Sequence, residues 1–169
     1  MEYIDHYDSP LGGVTLAGDG TALTGLWFDG QQHFAETLSA GHEERNLPVF
    51  EETKRWLDCY FSGRAPGFTP PLAPRGTTFR KAVWEILLTV PCGRTVTYGE
   101  IAVILARRTG ARTSARAVGN AVGHNPILLI IPCHRVVGAG GSLTGYAGGM
   151  ERKKLLLETE QKMIRKDCP

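Results

Sequence analysis

Long apolar runs are missing from this sequence: the longest strongly apolar stretch is Ile127 to Ile131, far short of the roughly 20 residues a helix needs to span a bilayer. The acidic, glycine-bearing N-terminus has no signal-peptide core. The chain therefore reads as cytoplasmic, nucleoid-associated if its source is bacterial, and without a membrane partner. Cysteine is scarce and scattered. Cys59, Cys92, Cys133 and Cys168 form no C-x-x-C pair and have no histidine at ligand spacing, so neither a metal site nor a disulfide framework is signalled. Free thiols fit a reducing compartment. A length of 169 residues allows one sizeable domain or two small ones, and 42% apolar with 21% charged residues is the balance of a folded chain.

The net charge of +2 conceals an asymmetry. Residues 1–74 carry 4 Lys/Arg against 11 Asp/Glu, whereas residues 75–169 carry 15 against 6. A basic half is the electrostatic footprint of a nucleic-acid binder. The plainer alternative is an acidic half and a basic half that neutralise each other.

The N-terminal stretches Glu2 to Tyr7, Val14 to Ala17 and Leu23 to Phe28 are β-prone, and Asp19-Gly20 supplies a hairpin turn. From Pro48 to Ser62, Val49, Thr53, Trp56, Leu57, Tyr60 and Phe61 recur at helical spacing, which predicts one amphipathic helix with Cys59 in the core. This is a small antiparallel sheet-plus-helix domain, residues 1–70. His6, His33 and His42 have no partner at an interpretable spacing. Pro66, Pro70, Pro71 and Pro74 punctuate a stretch that can neither continue a helix nor enter a central strand, so residues 71–76 read as a linker.

Residues 77–169 read as a mainly helical domain, giving an α+β chain overall. Thr78 can cap a helix carrying Phe79, Val83, Ile86, Leu87 and Val90, ended by Pro91-Cys92-Gly93. Thr97-Tyr98-Gly99-Glu100 fits a capping box at the start of a helix reaching about Arg108. A glycine-containing turn follows, and Thr113 or Ser114 can cap a second helix to about Gly123. Helix, short turn, helix is a helix-turn-helix arrangement. In its second helix Ser114, Ala115, Ala117, Gly119, Ala121 and Gly123 are small, with Arg116 the isolated long cation. Such a face suits close approach to another helix or to a nucleic-acid groove, with Arg107, Arg108 and Arg112 at the phosphates.

Beyond the turn residues Asn125-Pro126, the apolar run delivers Cys133 between Pro132 and His134. A thiol with a reference pKa of about 8.5 needs a base, a cation or a helix N-terminus to become the nucleophilic thiolate. Read alone, such a pair is more often a small core residue beside a solvated ring. The following segment Gly138 to Gly149 is glycine-rich, able to wrap closely around a ligand. A final helix is expected from about Met150 to Lys162.

The segment Thr78 to Glu160 resembles the O6-alkylguanine-DNA alkyltransferases, the methylated-DNA–protein-cysteine methyltransferases. The resemblance rests on Arg116-Ala117-Val118-Gly119, Asn125-Pro126, Pro132-Cys133-His134-Arg135-Val136 and Gly145-Tyr146-Ala147-Gly148-Gly149, in the family's order and spacing. It implies a monomer that repairs double-stranded DNA by moving an alkyl group from guanine O6 to Cys133, once and without a cofactor; O4 of thymine is a second substrate left open. It also implies that Glu160 orients His134, which deprotonates Cys133 through a water. Arg116 would be the finger that enters the base stack while the damaged nucleotide is flipped out. Tyr98 would hydrogen-bond the flipped guanine, the main-chain amide of Ala147 would meet O6, and the carbonyls of Cys133 and Val136 would read the amino group. Asn125 would support the active-site backbone and Tyr146 the substrate loop. Where the human-type pattern has serine, this chain has Ala147. It also lacks the N-terminal Cys/His set with which some relatives bind zinc.

A non-catalytic sensor of alkylated DNA is the nearest alternative, but such proteins replace the acceptor cysteine. A thiol hydrolase would need an oxyanion hole that the sequence does not signal. A helix-turn-helix regulator would carry more varied polar side chains on its second helix.

Overall fold

A computed structural model describes residues 1–167, with the side chains of residues 1–163; Cys168 lies outside the described residues. The chain divides into two compact units, Met1–Arg75 with Pro126–Leu128, and Gly76–Asn125 with the chain from Leu129 onward. Among the described residues, no helix is long and apolar enough to cross a membrane.

In the first unit, β1 (Glu2–Ser9), β2 (Gly12–Gly18) and β3 (Leu23–Phe28) form an antiparallel meander. A short strand that the residue pattern did not announce, β4 (His42–Glu44), adds to β1 in parallel, giving the order β3-β2-β1-β4. The turn before β3 is built by the Asp19 carboxylate, which accepts from the amides of Thr21 and Ala22, both at 2.9 Å. Gly25 in β3 is required by packing: a Cβ there would lie 2.1 Å from the Trp27 ring. Helix α1 (Pro48–Phe61) buries Val49, Phe50, Thr53, Trp56, Leu57 and Tyr60, the face its periodicity predicts. Cys59 corrects the expectation of a core thiol. It is only half-buried, because it lies beside that face, with its thiol 3.8 Å from the Arg64 carbonyl.

The proline stretch is partly sheet-bound. Leu23 N donates to the Pro71 carbonyl and Ala73 N to the Leu23 carbonyl, each at 2.8 Å, so Pro71 serves as an edge acceptor that needs no donor. Leu26 exchanges similar bonds with Pro126 and Leu128, which is how a piece of the later sequence joins this unit.

The second unit contains α2 (Thr78–Leu87), β5 (Val96–Thr97), α3 (Tyr98–Thr109), α4 (Ala115–Gly123), a 3-10 turn at Cys133–Arg135, β6 (Val136–Val137) and α5 (Met150–Asp167). The cap of α2 is Thr77 rather than Thr78. Thr77 is the extended residue, and its hydroxyl accepts from Arg80 N at 3.1 Å, while Thr78 is already helical. Phe79, expected inward, is 37% exposed, and the buried aromatic is Trp84, whose indole donates to the Ala121 carbonyl at 2.9 Å. At α3 the Thr97 hydroxyl accepts from Glu100 N, one half of the expected box. Gly110, at φ 75°, ends α3 in the left-handed conformation. Ser114 then caps α4, accepting from Ala117 N at 3.0 Å.

Candidate active site and nucleic-acid interface

Cys133 opens the 3-10 turn that leads into β6, and β6 pairs in parallel with β5, the strand immediately before α3. The thiol is thereby fixed close in topology to the helix-turn-helix. Two features shape the approach to it. Leu129 has φ 70°, an uncommon conformation for a branched residue, so the chain turns sharply before the cysteine. Asn125 then donates its side-chain amide to the Ile131 carbonyl at 2.8 Å, bracing the backbone ahead of Pro132.

Cys133 is 3% exposed. Burial pushes its thiol up to about 11, opposed by a hydrogen bond from Asn125, the Lys153 charge and its own backbone. His134 is fully buried, and its Nε2 is hydrogen-bonded to Glu160 Oε2. Burial would raise the Glu160 carboxyl, yet the charge and hydrogen bond of His134, with Arg135, hold it well below the usual carboxylate range. Arg135 Nε donates to Glu160 Oε1 at 2.7 Å and Nη1 to the Val90 carbonyl at 2.6 Å.

An ionised carboxylate only accepts, so the proton between the pair sits on His134 Nε2. In the neutral ring this leaves Nδ1 as the basic nitrogen. That atom is buried and has no hydrogen-bond partner among the described residues. The site therefore holds a histidine whose Nε2 is tied to a carboxylate behind it, next in sequence to a buried thiol.

α5 carries residues that the sequence reading did not single out. Its buried face is Lys153, Leu156, Glu160 and Met163, spaced by three and four. The Lys153 ammonium donates to the Val136 carbonyl at 2.6 Å and to the Thr144 carbonyl at 3.0 Å, tying the nucleophile strand to the glycine-rich loop. Burial lowers its pKa, and the neighbouring Cys133 opposes that shift. The signal was present: Lys153 shares the apolar stripe of Leu156 and Met163.

The Tyr98 hydroxyl is 2.8 Å from the Thr144 hydroxyl, and its ring lies over Gly119, where a Cβ would meet it at 3.6 Å. Gly119 thus faces the phenol. Tyr146 packs edge-on to His134 with ring centroids 6.3 Å apart, and its hydroxyl is buried without a hydrogen-bond partner among the described residues. Burial, then the charges of Cys133 and Glu160, raise its pKa well above the usual phenol value. Ala147 lies half-buried on the same loop, two residues before Gly149 at φ 95°.

On α4, Ser114, Ala115 and Arg116 are exposed, Ala117 is half-buried and Val118 points into the core. Arg107, Arg108 and Arg112 are exposed as well. Among the described residues no salt bridge engages any of these four arginines. A groove between α3 and the turn is lined by Ala102, Val103, Ala106, Arg107, Arg112 and Thr113.

A cationic helix-turn-helix in the same unit as a buried Cys-His-Glu constellation points to a DNA-directed protein that uses a thiol as acceptor. Comparison with known proteins narrows it. Residues 78–162 match the DNA-binding domain of 6-O-methylguanine DNA methyltransferase, and residues 3–74 match its ribonuclease-like domain. The methylated-DNA–protein-cysteine methyltransferase of Mycobacterium tuberculosis is 47% identical over 159 residues, 92% of each chain. That of Methanosarcina barkeri is 44% identical over 163 residues, 96% of this chain and 99% of the relative. The crystal structure of M. tuberculosis OGT in complex with DNA superposes with a TM-score of 0.83 at 45% identity, covering 95% of this chain and 94% of that one. The chain belongs to the methylated-DNA–protein-cysteine methyltransferase family. The relation extends to the N-terminal unit, where the quoted motifs had not reached.

Proposed function

We propose that this protein repairs alkylated double-stranded DNA by a single, irreversible transfer from O6 of guanine to the Cys133 sulfur. In the transfer the bond between the alkyl carbon and O6 breaks and a carbon–sulfur bond forms. The thiol proton passes through a water to His134 Nδ1, and Glu160 stabilises the resulting imidazolium. The departing guanine carries the electron pair of the broken bond, and the phenol of Tyr98 hydrogen-bonds a ring nitrogen as that charge grows. The Ala147 amide meets O6. The carbonyls of Cys133 and Val136 read the amino group; they also accept from Val136 N and from the Lys153 ammonium, respectively. Tyr146 walls the pocket and Asn125 holds its floor.

Residues 77–169 would form the DNA-binding and alkyl-transfer domain, with Arg116 entering the base stack and Ser114, Ala115 and Ala117 fitting the groove beside it. Residues 1–70 and the connecting 71–76 carry none of this chemistry. The reaction takes no cofactor, proceeds in a monomer, and belongs in the cytoplasm on nucleoid DNA. O4-alkylthymine is a second substrate to be tried.

The observation that carries the reading is the buried His134–Glu160 pair, with its open Nδ1, next to the buried thiol. Intact-mass measurement after incubation with a duplex containing O6-methylguanine tests it. One added methyl at Cys133, absent in Cys133→Ala although that variant still binds the duplex, is the expected result. Binding without any mass change would make the protein a sensor instead.

A further inference from the structure

We propose that Thr144 is a positioning residue for Tyr98, its hydroxyl donating to the phenol oxygen so that the single phenol proton is left for the nucleobase. This rests on the alkyl-transfer reading above. A phenol has one hydrogen to give and lone pairs to accept with. In the protein without nucleic acid, either hydroxyl can be the donor of the 2.8 Å bond between them. Once a guanine ring nitrogen takes the Tyr98 hydrogen, the bond to Thr144 survives only with Thr144 as donor. A threonine can reverse in this way because its hydroxyl rotates.

The surroundings hold Thr144 in place for that role. Its carbonyl accepts from the Lys153 ammonium at 3.0 Å. Its methyl group stands where a Cβ on Gly138 would come within 3.0 Å, so the absence of a side chain there leaves room for this rotamer. One edge of the Tyr98 ring, at Cδ1 and Cε1, lies where a Cβ on Gly119 of α4 would meet it at 3.6 Å. In a loop with six glycines between Gly138 and Gly149, Thr144 is tied through both backbone and side chain. The same ammonium that fixes its carbonyl also fixes the Val136 carbonyl at 2.6 Å, so donor and reading groups are set by one anchor. A second hydrogen bond into the phenol oxygen makes its proton a better donor, as in other chained hydroxyls.

The test is a double-mutant cycle on single-turnover methyl transfer from saturating duplex containing O6-methylguanine. A parent protein that acquires no methyl would refute the transfer reading itself, separately from this inference. With an active parent, Thr144→Val keeps the shape and removes the donor; it should slow transfer about three- to tenfold, the range of one net hydrogen bond. Thr144→Ser should restore the rate to within about twofold, and in a Tyr98→Phe background Thr144→Val should add less than about 1.5-fold. Should Thr144→Val unfold at the assay temperature, Thr144→Ala carries the same comparison. Parent-like transfer by Thr144→Val, no recovery by serine, or equal slowing with and without the phenol would each overturn the proposal.

Discussion

Glu160→Gln removes the charge behind His134: the amide oxygen can still accept from His134 Nε2, while the amide NH2 takes the place of the oxygen that accepts from Arg135 Nε. With burial placing the Cys133 thiol at about 11, a thiol ionising alone would be thiolate in roughly one molecule in 3000 at pH 7.5. That deficit is about 3.5 units, on the order of 5 kcal/mol, and it bounds what the His134–Glu160 pair contributes. Glu160 stays ionised at every pH of interest, so on the proposed mechanism its charge would stabilise the imidazolium formed when His134 takes the thiol proton. Removing the charge should slow transfer by on the order of 100- to 1000-fold at pH 7.5, below the bound because the neutral imidazole remains as a base. The pH profile is the sharper reading: between pH 7 and 9.5 the variant's rate should climb more steeply than the parent's, because unassisted ionisation of the thiol carries a larger share of it. The assay is single-turnover transfer from duplex containing O6-methylguanine, quenched and read by intact mass. Breaking a buried ion pair costs about 3–5 kcal/mol, so urea unfolding must first show that the variant is folded at the assay temperature. A folded Glu160→Gln protein with the parent's rate and profile would refute the assignment.

Arg116→Ala should slow repair of duplex on the order of tenfold more than reaction with free O6-benzylguanine, since only duplex requires a base to leave the stack; equal slowing would give Arg116 a fold or pocket role. Ala147→Ser should keep the rate within about threefold, while Ala147→Pro, which deletes the amide hydrogen, should cost about 100-fold in a protein that still folds and binds DNA. Lys153→Met keeps the stem in the apolar stripe but frees the Val136 and Thr144 carbonyls; it should lower the urea-unfolding free energy by about 2 kcal/mol and slow transfer, and a parent-like rate would make the ammonium purely structural. Glu2 and Glu160 are both held below their unfolded values, so their stabilisation is present above the carboxylate range and lost as pH falls through it. The urea midpoint should therefore drop below about pH 5, less steeply in Glu160→Gln, and an identical acid slope in both proteins would contradict that assignment.

What local sequence could express, it expressed well. The period of α1, the caps at Thr97 and Ser114 and the turn at Asp19 depend on neighbours within a few residues, and each sits close to where the pattern placed it. Failures begin where a distant group decides. Phe79 was expected on the buried side of α2 and Trp84 was not named, yet the indole is buried and donates to the Ala121 carbonyl across 37 residues. The parallel strand β4 is too short for periodicity, and the addition of Pro126–Leu128 to the first unit is invisible to any window. At the site, Cys133 and His134 were legible as neighbours, whereas the placement of Glu160 against His134 came only through resemblance. Lys153 was passed over because lysine is expected at the surface, although its helical phase puts it between buried Leu156 and the glycine-rich loop.

Burying the nucleophile creates a requirement that the other buried polar groups meet together. In an apolar site an isolated thiolate is disfavoured, and the groups that oppose this are few: the Asn125 side chain, the local backbone and the Lys153 charge. Lys153 cannot act as a close counter-ion alone, since two of its donors are committed to the Val136 and Thr144 carbonyls. On the proposed mechanism proton removal falls to His134, and the ionised Glu160 behind it would supply what the cations do not. For a protein consumed by one transfer, this division has a consequence. A thiol that burial pushes up holds little standing thiolate for electrophiles in solution, while on the proposed mechanism a nucleobase held in the pocket would remain in place when His134 takes the proton. Burial and the His134–Glu160 pair thus act in opposite directions on the same thiol, and it is their combination that can favour an alkylated base over other alkylating agents.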